Sequence, residues 1–184
     1  HPLNGAMAGR QRDCRQSFYR VPGYAGYVLE PKAAGVQMLA RLVDYGGREV
    51  SPGSMAVYEN PMGGRICVSG YYPWDHLHSL SKTTQLKAVM RWLSRETLPA
   101  YVASYHKVNL WVRETGPGGV AVGLLNASLD PAEGVELALR TSASSITVWD
   151  MQARKRVIRV HAIDGPYRRF VLPPIEPWSL RLAR

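Results

Sequence analysis

From Asn109 onward, short runs of β-branched, aromatic and aliphatic residues recur, each closed by a turn signal. The runs are Leu110–Arg113, Val120–Leu125, Val135–Leu139, Ser145–Trp149, Val157–Val160, Arg169–Leu172 and Leu180–Leu182. Gly116-Pro117-Gly118-Gly119, Asp130-Pro131, Asp164-Gly165-Pro166 and Pro173-Pro174 fall between them. Such runs are too short for helices, and Gly and Pro punctuate rather than continue them. Regularly spaced strands joined by tight turns predict an antiparallel β-sandwich, which buries one face of every strand.

The preceding residues have a different character, and the boundary is placed near residues 105–108, giving parts 1–105 and 106–184. Residues 1–30 are rich in Gly, Arg and Tyr, with one strand expected at Tyr27–Glu30. Val36–Tyr45 fits both a short helical stripe and a strand ending at Gly46-Gly47. Met55–Glu59 and Arg65–Tyr71, separated by Asn60-Pro61 and Gly63-Gly64, predict a hairpin whose second strand is buried on both faces. Ser81–Glu96 predicts a helix with a stripe of Leu86, Val89, Met90 and Leu93, capped by Ser79 or Ser81 and followed by Pro99. Tyr101-Val102-Ala103 would then return to the same sheet. The fold class expected is α+β: a small α/β unit with one main helix, then the sandwich.

The chain carries a net charge of +9 with a pI near 9.8, a balance that raises nucleic-acid binding. The excess is spread evenly, however, at net +5 over residues 1–105 and +4 over 106–184. The two dense clusters, Arg10/Arg12/Arg15/Arg20 and Arg154-Lys155-Arg156 with Arg159, lack the interleaved aromatics of a base-stacking platform. A solvated Arg-rich surface therefore ranks above a nucleic-acid site. No apolar run approaches the roughly 20 residues of a membrane helix, and no signal-peptide pattern opens the chain, so a soluble protein is expected.

Cys14 and Cys67 stand in unrelated contexts, which excludes a disulfide framework and a cysteine metal site. Cys67, within Arg65-Ile66-Cys67-Val68, reads as a small buried hydrophobe. Cys14 lies among arginines that would lower its pKa if exposed, although an unreactive thiol is the favoured reading. Motifs of the GxSxG, HExxH, P-loop and GxGxxG types do not occur. Glu49, Glu59, Asp75, Glu114 and Asp130 could supply paired carboxylates, yet surface solvation accounts for each. Asn126-Ala127-Ser128 fits a glycosylation sequon.

The densest chemistry lies in Tyr71-Tyr72-Pro73-Trp74-Asp75-His76-Leu77-His78, the loop before the helix. Open α/β sheets place ligands at that end of a strand. Asp75, His76 and His78 could share a metal, but a zinc site needs a further ligand that no nearby spacing supplies, so no metal or other cofactor is expected. Tyr71, Tyr72 and Trp74 beside Asp75, His76 and His78 suit carbohydrate contact, each ring pairing an apolar body with a polar tip. Trp111 and Trp178 are further aromatics of this kind. The competing role for Tyr72 and Trp74 is to wedge the helix onto the sheet while the histidines solvate its start.

Two stretches resemble a known family. LARLVDYGGREVSPGSMAVYENPMGGRICVSGYYPW, followed by a helix with RWL, resembles the end of the glutamine-amidotransferase-like α/β domain that follows the barrel in trimeric bacterial beta-galactosidases. VNLWVRETGPGGVAVGLLNASLDPAEGVELAL, ending in DGPYRRFVLPPIEPWSLRLAR, resembles the small β-sandwich that ends many such glycosidases. The resemblance spans residues 36–184 and implies a strand, a Gly-rich hairpin, a further strand, a loop and a closing helix. These enzymes keep their catalytic carboxylates in a (β/α)₈ barrel of about 250 residues, which 184 residues cannot hold. The resemblance therefore implies no catalytic residue here. It implies a non-catalytic C-terminal accessory region of a bacterial glycoside hydrolase, packing on the parent's barrel or on a second subunit. A free-standing carbohydrate-binding protein and a basic nucleic-acid binder are the alternatives.

Overall fold

The computed structural model describes residues 1–7, 27–72, 79–116 and 119–184. One main helix and mostly antiparallel strands in three sheets make it an α+β protein, as expected. The chain divides into two compact units, His1–Arg95 and Glu96–Arg184. The division thus falls ahead of residues 105–108, and the reason is β4 (Ala100–Val102). It pairs with a strand of the second unit rather than returning to the first sheet.

In the first unit, β1 (Gln37–Val43), β2 (Glu49–Glu59) and β3 (Arg65–Ser69) form an antiparallel sheet in sequential order. Val36–Tyr45 thus contains a strand rather than a helix. Asp44 Oδ1 accepts the Arg48 N–H at 2.8 Å in the β1–β2 turn, and Asn60 Oδ1 accepts the Gly64 N–H at 2.7 Å in the β2–β3 turn. Such side-chain-to-backbone bonds favour turns over continued secondary structure. Helix α1 (Leu80–Leu93) follows Ser79, whose side chain makes no capping bond. Leu39, Met55, Val57, Tyr71 and Val89 form the core, with Leu86, Trp92 and Leu93 packed against it. Met90, placed on the stripe by sequence, is exposed. So are Ile66 and Val68, because the helix covers only one face of β3.

The helix end is clasped to the hairpin. Arg65 donates to Glu59 at 3.0 Å and to the Trp92 carbonyl at 2.6 Å, with its guanidinium 4.9 Å from the Trp92 ring centre. A cation there also meets the negative end of the helix dipole. Residues 27–30 are extended but lie outside any strand: the Tyr27 and Leu29 N–H groups donate to the Gly70 and Gly53 carbonyls. Close approach requires glycine at both positions. A Cβ on Gly53 would stand 2.6 Å from the Leu29 oxygen, and one on Gly70 would overlap the Tyr27 carbonyl.

The second unit is a sandwich of a four-stranded and a five-stranded sheet. The first has the order β10 (Ala162–Asp164), β11 (Tyr167–Val171), β7 (Glu136–Arg140), β4. The second has the order β5 (Asn109–Glu114), β6 (Val120–Asn126), β12 (Ser179–Ala183), β8 (Ser145–Trp149), β9 (Lys155–Arg159). All seven runs read from the sequence become strands. Val122, Leu124, Ile146, Val148 and Ala183 from one sheet share a core with Val102, Leu137, Leu139 and Phe170 from the other. Full burial of each large aliphatic or aromatic side chain contributes about 1.5–3 kcal/mol.

At one end of this core Asn126, 1% exposed, ties three segments together. Its Nδ2 donates to the carbonyls of Asp130 and Ile175, both at 2.8 Å. Its Oδ1 accepts from the Ser128 N–H at 3.1 Å and the Ser128 hydroxyl at 2.6 Å. Both amide hydrogens are engaged inside the fold, so the Asn126-Ala127-Ser128 sequon presents no acceptor nitrogen once the sandwich has formed.

Asn126→Ala is expected to destabilise the chain by about 1–3 kcal/mol, since the buried amide gives up its bonds to Asp130, Ile175 and Ser128 together; urea denaturation followed by circular dichroism measures this. Gly70→Ala is expected to cost about 1–3 kcal/mol by overpacking. Hydrogen exchange should then quicken in peptides covering 50–71 while staying unchanged in those covering 120–140.

Candidate functional site

Of the residues singled out by sequence, Tyr71 and Tyr72 lie within the described structure, whereas Trp74, Asp75, His76 and His78 lie outside the described residues. Tyr71 is only 4% exposed. Its hydroxyl donates to the Met55 sulfur at 3.9 Å, and the Lys82 ammonium stands 5.1 Å from its ring centre. Tyr71 is therefore a core residue, with its ring face used by a cation of the helix. Tyr72, the next residue, is exposed. Cys67 faces the same core, and burial pushes its thiol pKa up, which suits the inert small hydrophobe expected. Cys14 lies outside the described residues. Among the described residues no three His, Cys, Asp or Glu side chains converge as a metal site would require.

Two groupings that sequence reasoning did not join appear on the sandwich. On the outer side of the four-stranded sheet, Arg169 donates to Asp164 at 2.8 Å and to Glu136 at 3.5 Å. The Tyr101 hydroxyl donates to the same Asp164 at 3.3 Å, and its ring meets Tyr167 edge-on at 5.1 Å. The hydrogen bond to Asp164 holds the guanidinium more firmly charged than usual. This network joins β4, β7, β10 and β11 across the whole sheet. Both carboxylates are occupied by the Arg169 guanidinium, so the network serves cohesion better than proton transfer. Nearby, the Ser104 hydroxyl accepts the Glu136 N–H at 3.1 Å and lies 2.9 Å from His106 Nδ1, tying the β4–β5 connection to β7.

The second grouping covers the outer side of the five-stranded sheet. Register aligns Trp111, Gly123, Leu182, Trp149 and Lys155 in one row across all five strands. A neighbouring row brings Asn109, Leu125 and Leu180 together. Gly123 has no side chain to hold the row apart, and Trp111, Leu180 and Leu182 close over it within 3.7–3.9 Å of where a Cβ would stand. Trp111 is 54% exposed and Leu182 50%. Beside them lies a shallow depression of about 550 Å³ lined by Trp149, Asp150, Met151, Ala153, Leu180 and Leu182.

One carboxylate shapes that depression. Asp150 Oδ1 accepts the N–H groups of Gln152 and Arg154, both at 3.0 Å, and Oδ2 meets Arg154 Nε at 2.7 Å. Arg181 approaches Oδ2 at 3.6 Å. The turn so built puts Ala153 in the left-handed region at φ +57° and leaves Met151 exposed at its tip. Desolvation pushes the Asp150 carboxyl up, but the N–H and guanidinium of Arg154 and the N–H of Gln152 outweigh it and hold the pKa below its ordinary value. Trp178, by contrast, stands exposed at φ +53° in the connection entering β12.

Asp150 binds a proton less readily in the folded than in the unfolded chain. Its stabilising contribution is therefore complete above the ordinary carboxylate range and is lost as pH falls through the lowered folded value. Thermal melts at pH 6 and pH 3 are expected to show a smaller acid-induced drop in Tm for Asp150→Asn than for the parent chain, with the variant less stable at pH 6.

No protein-family model matches the sequence, and no curated protein matches it. Among solved structures, the chain is similar to alpha-L-fucosidase isoenzyme 2 from Paenibacillus thiaminolyticus, with a TM-score of 0.44 and 15% sequence identity. The similarity covers 74% of this chain and 22% of that one, so the chain spans about a fifth of the length of the enzyme it matches.

Proposed function

We propose that this chain is a non-catalytic accessory region of a bacterial glycoside hydrolase, serving domain packing or subunit association. The observation that carries the reading is the order of elements over residues 37–93. A strand, a hairpin turn at Gly46-Gly47, a long strand, a Gly-rich turn, a further strand and a closing helix follow one another before the sandwich begins. That is the order implied by the resemblance to the region after the barrel in trimeric bacterial beta-galactosidases, and a helix over 36–45 would have counted against it. In this reading the first unit is the last portion of an amidotransferase-like domain, and the sandwich buttresses the parent's catalytic domain or a second subunit.

The ion networks support a packing role. Glu59 with Arg65 and Arg95, and Arg169 with Asp164 and Glu136, link strands or join a sheet to its helix, so their charges are committed to cohesion.

The chain expressed alone is expected to leave a panel of aryl glycosides unhydrolysed. An antibody raised against it should detect, in extracts of the source organism, a polypeptide several hundred residues longer that copurifies with glycosidase activity. A native product of 20.5 kDa that hydrolyses a glycoside by itself would overturn the proposal.

A further inference from the structure

The outer face of the five-stranded sheet is divided by chemistry. One half is apolar: Trp111, Leu125, Leu180, Leu182 and Trp149, with Met151 at its border. The other half carries the cations, with Val157 and small residues between them. Arg113 lies opposite Ala121, Arg184 beside Thr147, and Arg159 opposite Ser145, with Lys155 closing the row of Trp111 and Trp149 at the sheet edge. Among the described residues, the outward positions of these five strands hold no carboxylate. Asp150 at the margin is already engaged by Arg154 and Arg181.

We propose that this face is a docking surface for an amphipathic helix of another domain or subunit, whose apolar stripe is bordered on one side by Asp and Glu. The inference rests on the accessory-region reading and names the chemistry of the partner. Three features choose this occupant. First, five strands about 4.8 Å apart, crossed by four outward rows, make a surface roughly 20 Å on a side, which a helix of about 14–16 residues spans at about 1.5 Å per residue. Second, the apolar half is about one helix wide and combines two Trp and a Met, types enriched at interface centres, with leucines that pack around them and exclude water. A saccharide laid there would meet aliphatic side chains where its hydroxyls need partners, with Asn109 the one amide in those rows. Third, the basic half demands a partner of opposite charge. A second copy of this chain, at net +9, would set the same four cations against their like.

The test uses the full 184-residue chain and two synthetic 16-residue peptides. Both carry leucines at i, i+3, i+4 and i+7; one has glutamates along one flank, and its twin has lysines there. Isothermal titration is expected to show micromolar binding of the glutamate peptide and at least tenfold weaker binding of the lysine twin. Leu182→Glu should weaken the glutamate peptide at least tenfold. Arg113→Glu combined with Arg184→Glu should reverse the preference between the peptides. Those two positions are exposed, so that variant keeps the test decisive if Leu182→Glu fails to fold. Equal binding of both peptides, binding by neither, or affinities unmoved by the variants would overturn the proposal. So would polygalacturonate binding that Trp111→Ala abolishes while neither peptide binds, or a micromolar dimer that Leu182→Glu dissolves. Failure here would leave the native polypeptide's length and its copurifying activity untouched, so the two proposals fall separately.

Discussion

The sandwich closes around a single buried amide. Asn126 lies where β6 ends, and its Nδ2 reaches both the Asp130 carbonyl, four residues on, and the Ile175 carbonyl, 49 residues on. Ile175 pairs in turn with Ala132 through two backbone bonds of 3.0 Å. The connection leaving β6 and the one entering β12 are thus held against each other at the point where both sheets need covering. An aliphatic residue of similar size would fill the volume but give up the bonds that join these segments, leaving only the Ala132 and Ser128 donors on the two carbonyls. The first unit has a counterpart in the chain from Lys82 through Gln85 and Asn4 to the Leu39 carbonyl, with links of 3.1, 2.7 and 3.0 Å.

Much of the sandwich was legible in the sequence because its strands are locally encoded. Each is a short run with a turn residue at its end, and those features need no knowledge of the partner strand. What escaped is set by distant contacts. The strand expected at Tyr101-Val102-Ala103 forms at Ala100–Val102, but which sheet it joins depends on pairing with Leu137–Leu139 some 37 residues later. Ala162–Asp164 is equally short and exists only as the partner of β11. Val36–Tyr45 carries apolar residues that satisfy both periods, so pairing with β2 decides it. Ile66 and Val68 mislead differently: an apolar run suggests burial on both faces, whereas helix α1 covers one.

The site was less legible for the same reason. Tyr71 and Tyr72 are adjacent in the chain, but a strand end turns them to different surroundings: one into the core under Lys82, the other to water. Adjacent aromatics in a sequence are easily read as a joint platform, although neighbouring positions in extended chain point apart. Trp111, Gly123, Trp149 and Leu182 make the opposite case. They are scattered over 72 positions and become neighbours only through three strand pairings. Trp111 drew notice as a lone aromatic, but nothing in the sequence marked Gly123 as the place where Trp111, Leu180 and Leu182 would close over the sheet.

The two edges of the five-stranded sheet are unequal. Edge strand β9 carries Lys155 and Arg159 on one face and Arg156 on the other, so adding another strand there crowds cations. Strand β5, at the far edge, is less guarded. Any growth of this sheet by strand addition therefore favours β5 meeting β5 of another copy, a two-fold arrangement that consumes both open edges at once. The head-to-tail repeat of β5 onto β9, which would propagate without limit into a fibre, is the one the charges oppose. Where a strand adds to this sheet, such asymmetry favours a closed pair over an open fibre.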